Sequence, residues 1–551
     1  MKAKTIKIHP SDNVEVALTN LKKGELIHTG GQSVCLVNDI PLKHKFALNE
    51  LEKGADVIMY GVLVGKATQP IQKGDLISIK NIKHAAFDFG LGEQKITWKQ
   101  PDVSAWKERT FMGYHRKDGS VGTANFWLVI PLVFCENKNV QVIHEAFIKE
   151  LGYESERSLP RLQVAELVRR YQAGEKLDQF IETDNIIENQ AKGQKRVFPN
   201  VDGVKLLTHT LGCGGTKEDA INLCGLLAGY ITHSNVAGAT ILSLGCQNSQ
   251  MEILKDEISK RDPLFSKPVY FLEQQKTGNE TVLLQQAVQK TFEGLLQANT
   301  LTRRPAPLHK LCIGLECGGS DGFSGISANP ALGHVSDILV TLGGSVILSE
   351  FPELCGVEQE LCDRCTDQTI ARRFMELMKA YHARAAAVGS GFDSNPSAGN
   401  IRDGLVTDAI KSAGAAKKGG SSPVIDVLDY PEKLTKPGLN LLCTPGSDIE
   451  STTAEVGSGA NIVLFTTGLG TPTGNPVAPV LKVSTNTTLY YKMNDIIDLD
   501  AGTIISGEET IQQAGERILD YVIRVASGEI KAKADILGHN DFIPWKKGIS
   551  L

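Results

Sequence analysis

Apolar residues recur in two rhythms along this chain, and the change of rhythm divides it. Up to about residue 95, the short runs TIKI (5–8), SVCLV (33–37), DVIMYGVLVG (56–65) and LISIK (76–80) alternate with the polar segments LKKGE, LEKGAD and IQKGD. Each polar segment carries a Lys-Gly step suited to a tight turn, because glycine takes positive φ at little cost. This weak internal repeat predicts a small all-β, barrel-like unit over 1–95. A polar stretch with Trp98, Pro101 and Trp106 then reads as a linker over 96–112.

Beyond the linker, strand-length apolar runs alternate with longer amphipathic segments. The runs are 126–133, 204–209, 239–245, 269–272, 311–315, 345–350, 439–444 and 461–466; the helix-like segments include 216–231, 248–260, 278–297, 357–382 and 507–527. Buried strands alternating with helices predict parallel, Rossmann-like α/β sheets. The segment NTLTRRPAPLH near 300–309 marks a boundary between two such units, 113–300 and 301–551. Residues 155–200, charged and poor in periodicity, read as a helical insertion or a loop. Residues 395–422, rich in Gly, Ser, Ala and Lys, read as a site loop or a flap.

Length and composition narrow the function. The chain has 551 residues, enough for about three domains, with 41% hydrophobic and 22% charged residues as in globular proteins. A formal net charge of -5, with no Lys/Arg patch interleaved with aromatics, argues against nucleic acid as a partner. The start MKAKTIKIHPSDN lacks the apolar core of a signal peptide, and no run reaches the roughly 18 apolar residues of a membrane span. Eleven irregularly spaced cysteines form no secreted disulfide framework, so the expected setting is the reducing cytoplasm.

Chemistry gathers at strand ends. His209, Cys213, Cys246, Cys317 and Glu350 each stand at or just beyond the C-terminal end of a predicted strand, where parallel sheets bind ligands. The stretch GLECGGSDGFSG, Gly314–Gly325, has P-loop spacing between Gly314 and Gly319. Ser320-Asp321 stands where Lys-Ser/Thr is required, which disfavours a phosphate cradle. HTLGCGG, LGCQNSQ and LECGGSDG present three Gly-flanked thiols, Cys213, Cys246 and Cys317. These residues suit an iron–sulfur cluster with one open iron, a mononuclear metal site, or plain buried cysteines beside turns. Cys362 and Cys365 have CxxC spacing inside a helical pattern and read as packing or surface cysteines. IHPSDNV and LKHKFAL add His9, Asp12, His44 and Lys45.

Taken together, IHPSDNVEVAL, KHKFAL, YGVLVGKA, DGSVGTAN, GLECGGSDGFSGISANPALG, NPSAGN, GLNLLCTPGSD and FTTGLGTPTGNPVAPVLK run nearly end to end. In that order they resemble the altronate/galactarate dehydratase family of sugar-acid dehydratases. The resemblance implies an N-terminal SAF-type β-clip domain followed by two α/β domains. It implies loss of water from a sugar acid, most nearly altronate, to a 2-keto-3-deoxy acid in hexuronate catabolism, with Fe2+ or Mn2+. His44 and Lys45 match the family's Gly-His-Lys motif, with Lys43 in place of its glycine. Gln247 stands where altronate dehydratases commonly carry Glu. On this reading His44, Lys45, His9 and His209 are the catalytic candidates, with the β-clip unit closing over the strand ends. Ser320, Asp321, Asn329, Asn395, Asn400, Thr471, Thr473 and Asn475 contact the polyol acid, and Cys213, Cys246, Cys317 and Glu350 face the metal. Galactarate as substrate, an iron–sulfur hydroxy-acid dehydratase, a non-catalytic sugar-acid sensor and assembly into a homo-oligomer all stay open.

Overall fold

A computed structural model describes residues 3–87, 89–92, 94–153, 159–174, 195–392 and 395–550. The N-terminal unit is all β. One antiparallel sheet joins Thr5–Ile6, Val14–Ala17, Lys45–Ala47 and Leu76–Ile77, in that order; Leu26–Thr29 pairs with Gln32–Cys35; and Val62–Ala67 lies between Asp56–Met59 and Ile82–Lys83. The three Lys-Gly steps are its turns, with Gly24, Gly54 and Gly74 at φ of 81, 89 and 89°. The run 56–65 is two strands, because Tyr60 and Gly61 turn the chain at φ of 58 and 80°.

The rest is α/β. A four-stranded parallel sheet has the order Gly203–Leu206, Phe126–Pro131, Val236–Ser243, Val269–Glu273. A seven-stranded parallel sheet has the order Val424–Asp429, Gly438–Cys443, Ser345–Leu348, Cys312–Cys317, Ile462–Thr467, Val480–Ser484, Leu499–Asp500. Cys312–Cys317 is buried at every position, as a central strand covered on both faces must be. One covering helix, Ile511–Ala526, buries Ala514, Ile518, Val522 and Ala526 at four-residue spacing against Ala328–Thr341.

Local patterning left some elements unread. Val424–Asp429 and Val480–Ser484 are strands that the apolar runs did not mark. Segment 357–382 is two helices, Glu358–Arg364 and Gln368–Ala387, because the Asp367 carboxylate accepts from the amides of Thr369 and Ile370 and caps a new start. The boundary segment near 300–309 contains the strand Arg304–Pro307, which pairs antiparallel with Thr110–His115 at the end of the linker. Within 155–200 the structure shows the helix Leu159–Gln172, while residues 154–158 and 175–194 lie outside the described residues. No helix among the described residues is long and apolar enough to cross a membrane.

The two parallel sheets share one apolar core. Helices Lys217–Thr232 and Asp448–Ser458 cross where a Cβ on Gly229 would overlap the Gly457 carbonyl. The Tyr230 hydroxyl donates to the Thr453 carbonyl at 3.1 Å and accepts from Asn475 Nδ2 at 2.9 Å. Gly229→Leu should therefore force the crossing apart and cost about 1–3 kcal/mol. The check is a lower Tm with unchanged secondary structure by circular dichroism.

Candidate active site

The loops after the central strands of the seven-stranded sheet converge on a largely buried cluster of acidic side chains. Cys312–Cys317 delivers Glu316 and Cys317, Ser345–Leu348 leads into Glu350 and Glu353, and helix Asp448–Ser458 brings Asp448 and Glu455. The glycines of 314–325 are there because the loop is crowded. A Cβ on Gly314 would strike the Glu455 carboxylate, one on Gly318 the Asp448 carboxylate, and one on Gly325 the Tyr60 hydroxyl. Gly319, at φ +60°, stands against the hydroxyls of Thr467 and Thr471, each 3.3 Å from where a Cβ would sit, and Gly322 abuts the Lys43 carbonyl.

Two ammonium groups enter this cluster from the segment 395–422. Lys418 Nζ donates to Cys317 Sγ at 2.8 Å and to Glu350 Oε2 at 2.7 Å. Lys411 pairs with Glu353 and donates to Asn395 Oδ1 at 3.0 Å. Burial would raise Glu350, but Lys418 outweighs it and holds the group ionised, below its usual range. Burial and the neighbouring Glu350 push Glu316 well up, so Glu316 keeps a proton. Burial also raises Glu455 to about 8. Asp448, only half-buried, is raised to about 7 by desolvation and by the charges of Glu350 and Glu353. Glu350 itself adopts φ 62° and ψ 55°, a left-handed conformation unusual for a side-chain-bearing residue.

The N-terminal unit reaches the same loop. Lys43 sits at φ 73°, the region its matched glycine would favour, and its ammonium lies 2.9 Å from Asp321 and 3.0 Å from Asp403. Asp321 also accepts from the Thr485 hydroxyl at 2.9 Å. Lys45 Nζ donates to the carbonyls of Gly404 at 2.6 Å and Lys43 at 3.1 Å, and burial lowers it to about 7. His44 is half-buried, with Nδ1 3.1 Å from the Leu42 carbonyl; burial, opposed by that contact, lowers it. His9 lies apart, in a cleft of about 330 Å3 that Tyr60, Gly325 and Lys417 also line.

Other sequence candidates have structural partners. Asn400 Nδ2 donates to the Ser320 carbonyl at 2.7 Å, which fixes the loop. Asn329 bridges the Gly414 carbonyl and the Thr466 hydroxyl, and Asn475 caps the turn at Val477 while meeting Tyr230. Thr471 borders Gly319, and the Thr473 carbonyl accepts from Lys482. His209 is buried between the Pro131 carbonyl and the Leu211 amide, and burial lowers it to about 4. Cys213 and Cys246 are exposed on loops of the four-stranded sheet, whereas Cys317 is buried in the seven-stranded one, so the three thiols stand on two sheets. Gln247 is turned inward, accepting from the Gly245 amide and donating to Ser243 Oγ at 2.6 Å each. Cys362 and Cys365 are both buried.

Glu353, Lys411, Lys418 and Asp448 were not singled out by sequence reasoning. The signals present were segmental: residues 395–422, read as a site loop or a flap, hold both lysines, and the motif GLNLLCTPGSD ends on Asp448.

The donor set suits a small divalent ion. Cys317, Glu350 and Glu353 place ligand atoms within 4.8 Å of one another. Buried Glu455 Oε2 lacks a hydrogen-bond partner, and the proton that Glu316 keeps is shared with Glu350, so a cation here would add to the positive charge that Lys411 and Lys418 already bring to Glu353 and Glu350. Because Lys418 and Glu350 are each 1% exposed, removing one leaves an uncompensated buried charge. Lys418→Met should destabilise by about 3–5 kcal/mol. Urea denaturation should show this loss, and Glu350→Gln added to Lys418→Met should recover part of it.

Family models match along the chain in order. That of the altronate/galactarate dehydratase SAF domain covers residues 3–85, that of the D-galactarate dehydratase/altronate hydrolase second domain 113–299, and that of the D-galactarate/altronate dehydratase C-terminal domain 308–550. An altronate dehydratase of Escherichia coli (strain K12) is 34% identical over 99% of both chains. One from Bacillus subtilis (strain 168) is 33% identical over 95% of both. A galactarate dehydratase (L-threo-forming) of Escherichia coli (strain K12) is 31% identical over 97% of this chain and 95% of its own. The chain therefore belongs to the altronate/galactarate dehydratase family of hydro-lyases.

Proposed function

We propose that the protein removes water from D-altronate to give 2-dehydro-3-deoxy-D-gluconate, and that the acidic cluster is where it does so. The observation that carries this reading is Asp448: a half-buried carboxyl poised at about 7, within reach of the Lys411 charge, in a chain 34% identical to an altronate dehydratase. A general base works best with a pKa near the working pH.

In the proposed reaction the Asp448 carboxylate takes the proton at C2. The C–H electron pair becomes the C2–C3 double bond. The C3 hydroxyl takes a proton from a protonated carboxyl of the cluster and leaves as water; the enol then ketonises. Lys411 and Asn395 supply N–H donors for the charge that builds on the substrate carboxylate. A ferrous or manganous ion, when bound, would be held by Cys317, Glu350 and Glu353 and would add positive charge at that carboxylate. The crowded loop 314–325 keeps the polyol chain near Ser320 and Thr471.

Two outcomes test this. In an anaerobic screen of hexonates and hexarates with iron or manganese, altronate should give a 2-keto-3-deoxy product; turnover of galactarate alone would reassign the substrate, and no keto acid from any sugar acid would overturn the reading. Asp448→Asn should lower kcat by about 100- to 10,000-fold. The same variant should change stability in a defined direction. A carboxyl raised from 3.8 to about 7 on folding binds its proton more tightly in the folded state, so its penalty is absent below about pH 4 and complete above about pH 7. Asp448→Asn should therefore raise Tm at pH 8 and leave it nearly unchanged at pH 4.

A further inference from the structure

We propose that Cys135, Cys213 and Cys246 bind an iron–sulfur cluster at the C-terminal edge of the four-stranded sheet, separate from the acidic site. Sequence patterning grouped Cys213 and Cys246 with Cys317; the topology replaces Cys317 by Cys135.

The three thiols come from the loops after three adjacent strands, Phe126–Pro131, Gly203–Leu206 and Val236–Ser243. Pro131 pairs with Leu242, so Cys135 and Cys246 each follow the paired position at the same interval, in the segments leaving neighbouring strands. The Cys213 loop closes onto both. The Phe134 amide donates to the Leu211 carbonyl at 3.1 Å, and the Asn248 amide to the Gly212 carbonyl at 2.9 Å. Gly212 is wedged so tightly that a Cβ there would lie 2.6 Å from the Leu132 carbonyl, 2.8 Å from Val133 Cα and 2.9 Å from Ser249 Oγ. Each cysteine is thus within three residues of one shared point of backbone contact.

Chemistry favours a cluster over a single ion or plain packing. All three thiols are exposed, whereas most other cysteines of the chain are buried, and burial raises those of Cys224, Cys312, Cys362, Cys365 and Cys443 toward the inert thiol. One ion bound through sulfur at about 2.3 Å would hold its thiolates roughly 3.8 Å apart. Among the described residues, the donor groups that gather within 4.8 Å do not include these three, so the thiols are not set to share a single ion, whereas a cluster takes thiolates on separate irons. Cluster sulfurs and their cysteines accept N–H hydrogen bonds, and the loops offer them. Gly212, Gly214 and Gly245 have φ of 100, 67 and 125°, and Gln275 Nε2 already lies 3.2 Å from Cys246 Sγ. Lys546 lines the recess beside Cys213 and offsets the negative charge of a thiolate-bound cluster. Three ligands leave one iron with an open position.

The test uses the whole chain. Anaerobic protein is incubated with ferrous ammonium sulfate and sodium sulfide, desalted, assayed for iron and acid-labile sulfide, and alkylated with iodoacetamide for peptide mass spectrometry. The expected result is brown protein that retains labile sulfide, with Cys135, Cys213 and Cys246 shielded and the exposed Cys35 labelled as before. Cys135→Ser should lose the sulfide, and Cys317→Ser should keep it. Absence of retained sulfide in the wild-type chain, or retention with all three cysteines still alkylated, would overturn the proposal. Neither readout depends on turnover, so failure here is distinguishable from failure of the dehydratase reading.

Discussion

Buried Glu316, Glu350, Glu353 and Glu455, with half-buried Asp448, cluster around the ammonium groups of Lys411 and Lys418, and this surplus of carboxyls governs the site. In a medium of low dielectric such a surplus cannot stay fully ionised. It is relieved by protons, which Glu316 keeps and Asp448 exchanges near neutrality, and by positive charge close at hand. Proton abstraction beside a carboxylate, followed by loss of hydroxide as water, needs both a base poised near neutrality and a ready proton. On the proposed reading, the same imbalance supplies the two.

The fold maintains that imbalance by close approach. Central strand Cys312–Cys317 is locked between parallel neighbours, so Glu316 and Cys317 cannot turn to solvent. Gly314 within that strand and Gly318 just after it let the Glu455 and Asp448 carboxylates press against the backbone. From the other side, Lys43 crosses from the N-terminal unit to pair with Asp321 and Asp403. The β-clip unit thereby helps to fix the loop whose far end carries the thiol. A lysine at left-handed φ costs something locally, and two partly buried ion pairs offset it.

Much of the architecture was legible locally. The Lys-Gly steps announced the three turns of the N-terminal unit, and apolar runs alternating with amphipathic ones announced parallel sheets. What stayed hidden is non-local. Lys418 reaches Cys317 across 101 residues from a segment whose Gly/Ser/Ala/Lys composition has no period. Asp448 sits in a visible turn motif, yet its role depends on contact with Gly318, which no spacing reveals. Strand ends marked Cys213, Cys246 and Cys317 equally, but which sheet a strand joins is decided by pairing, and pairing sends Cys317 elsewhere. His209, Asn329 and Asn475, marked as candidates from the sequence, each also have a backbone or side-chain partner within the fold, which local patterning does not reveal.

The central claim is that the sugar acid binds at the acidic cluster, with C2 facing Asp448. A crystal structure with 3-deoxy-altronate, which lacks the leaving hydroxyl, tests it most directly. The account places the C2 carbon within about 3–3.5 Å of an Asp448 oxygen, with the ligand carboxylate toward Lys411 and Asn395. Density for the ligand at the Cys213 and Cys246 loops, or in the cleft beside His9, would contradict it.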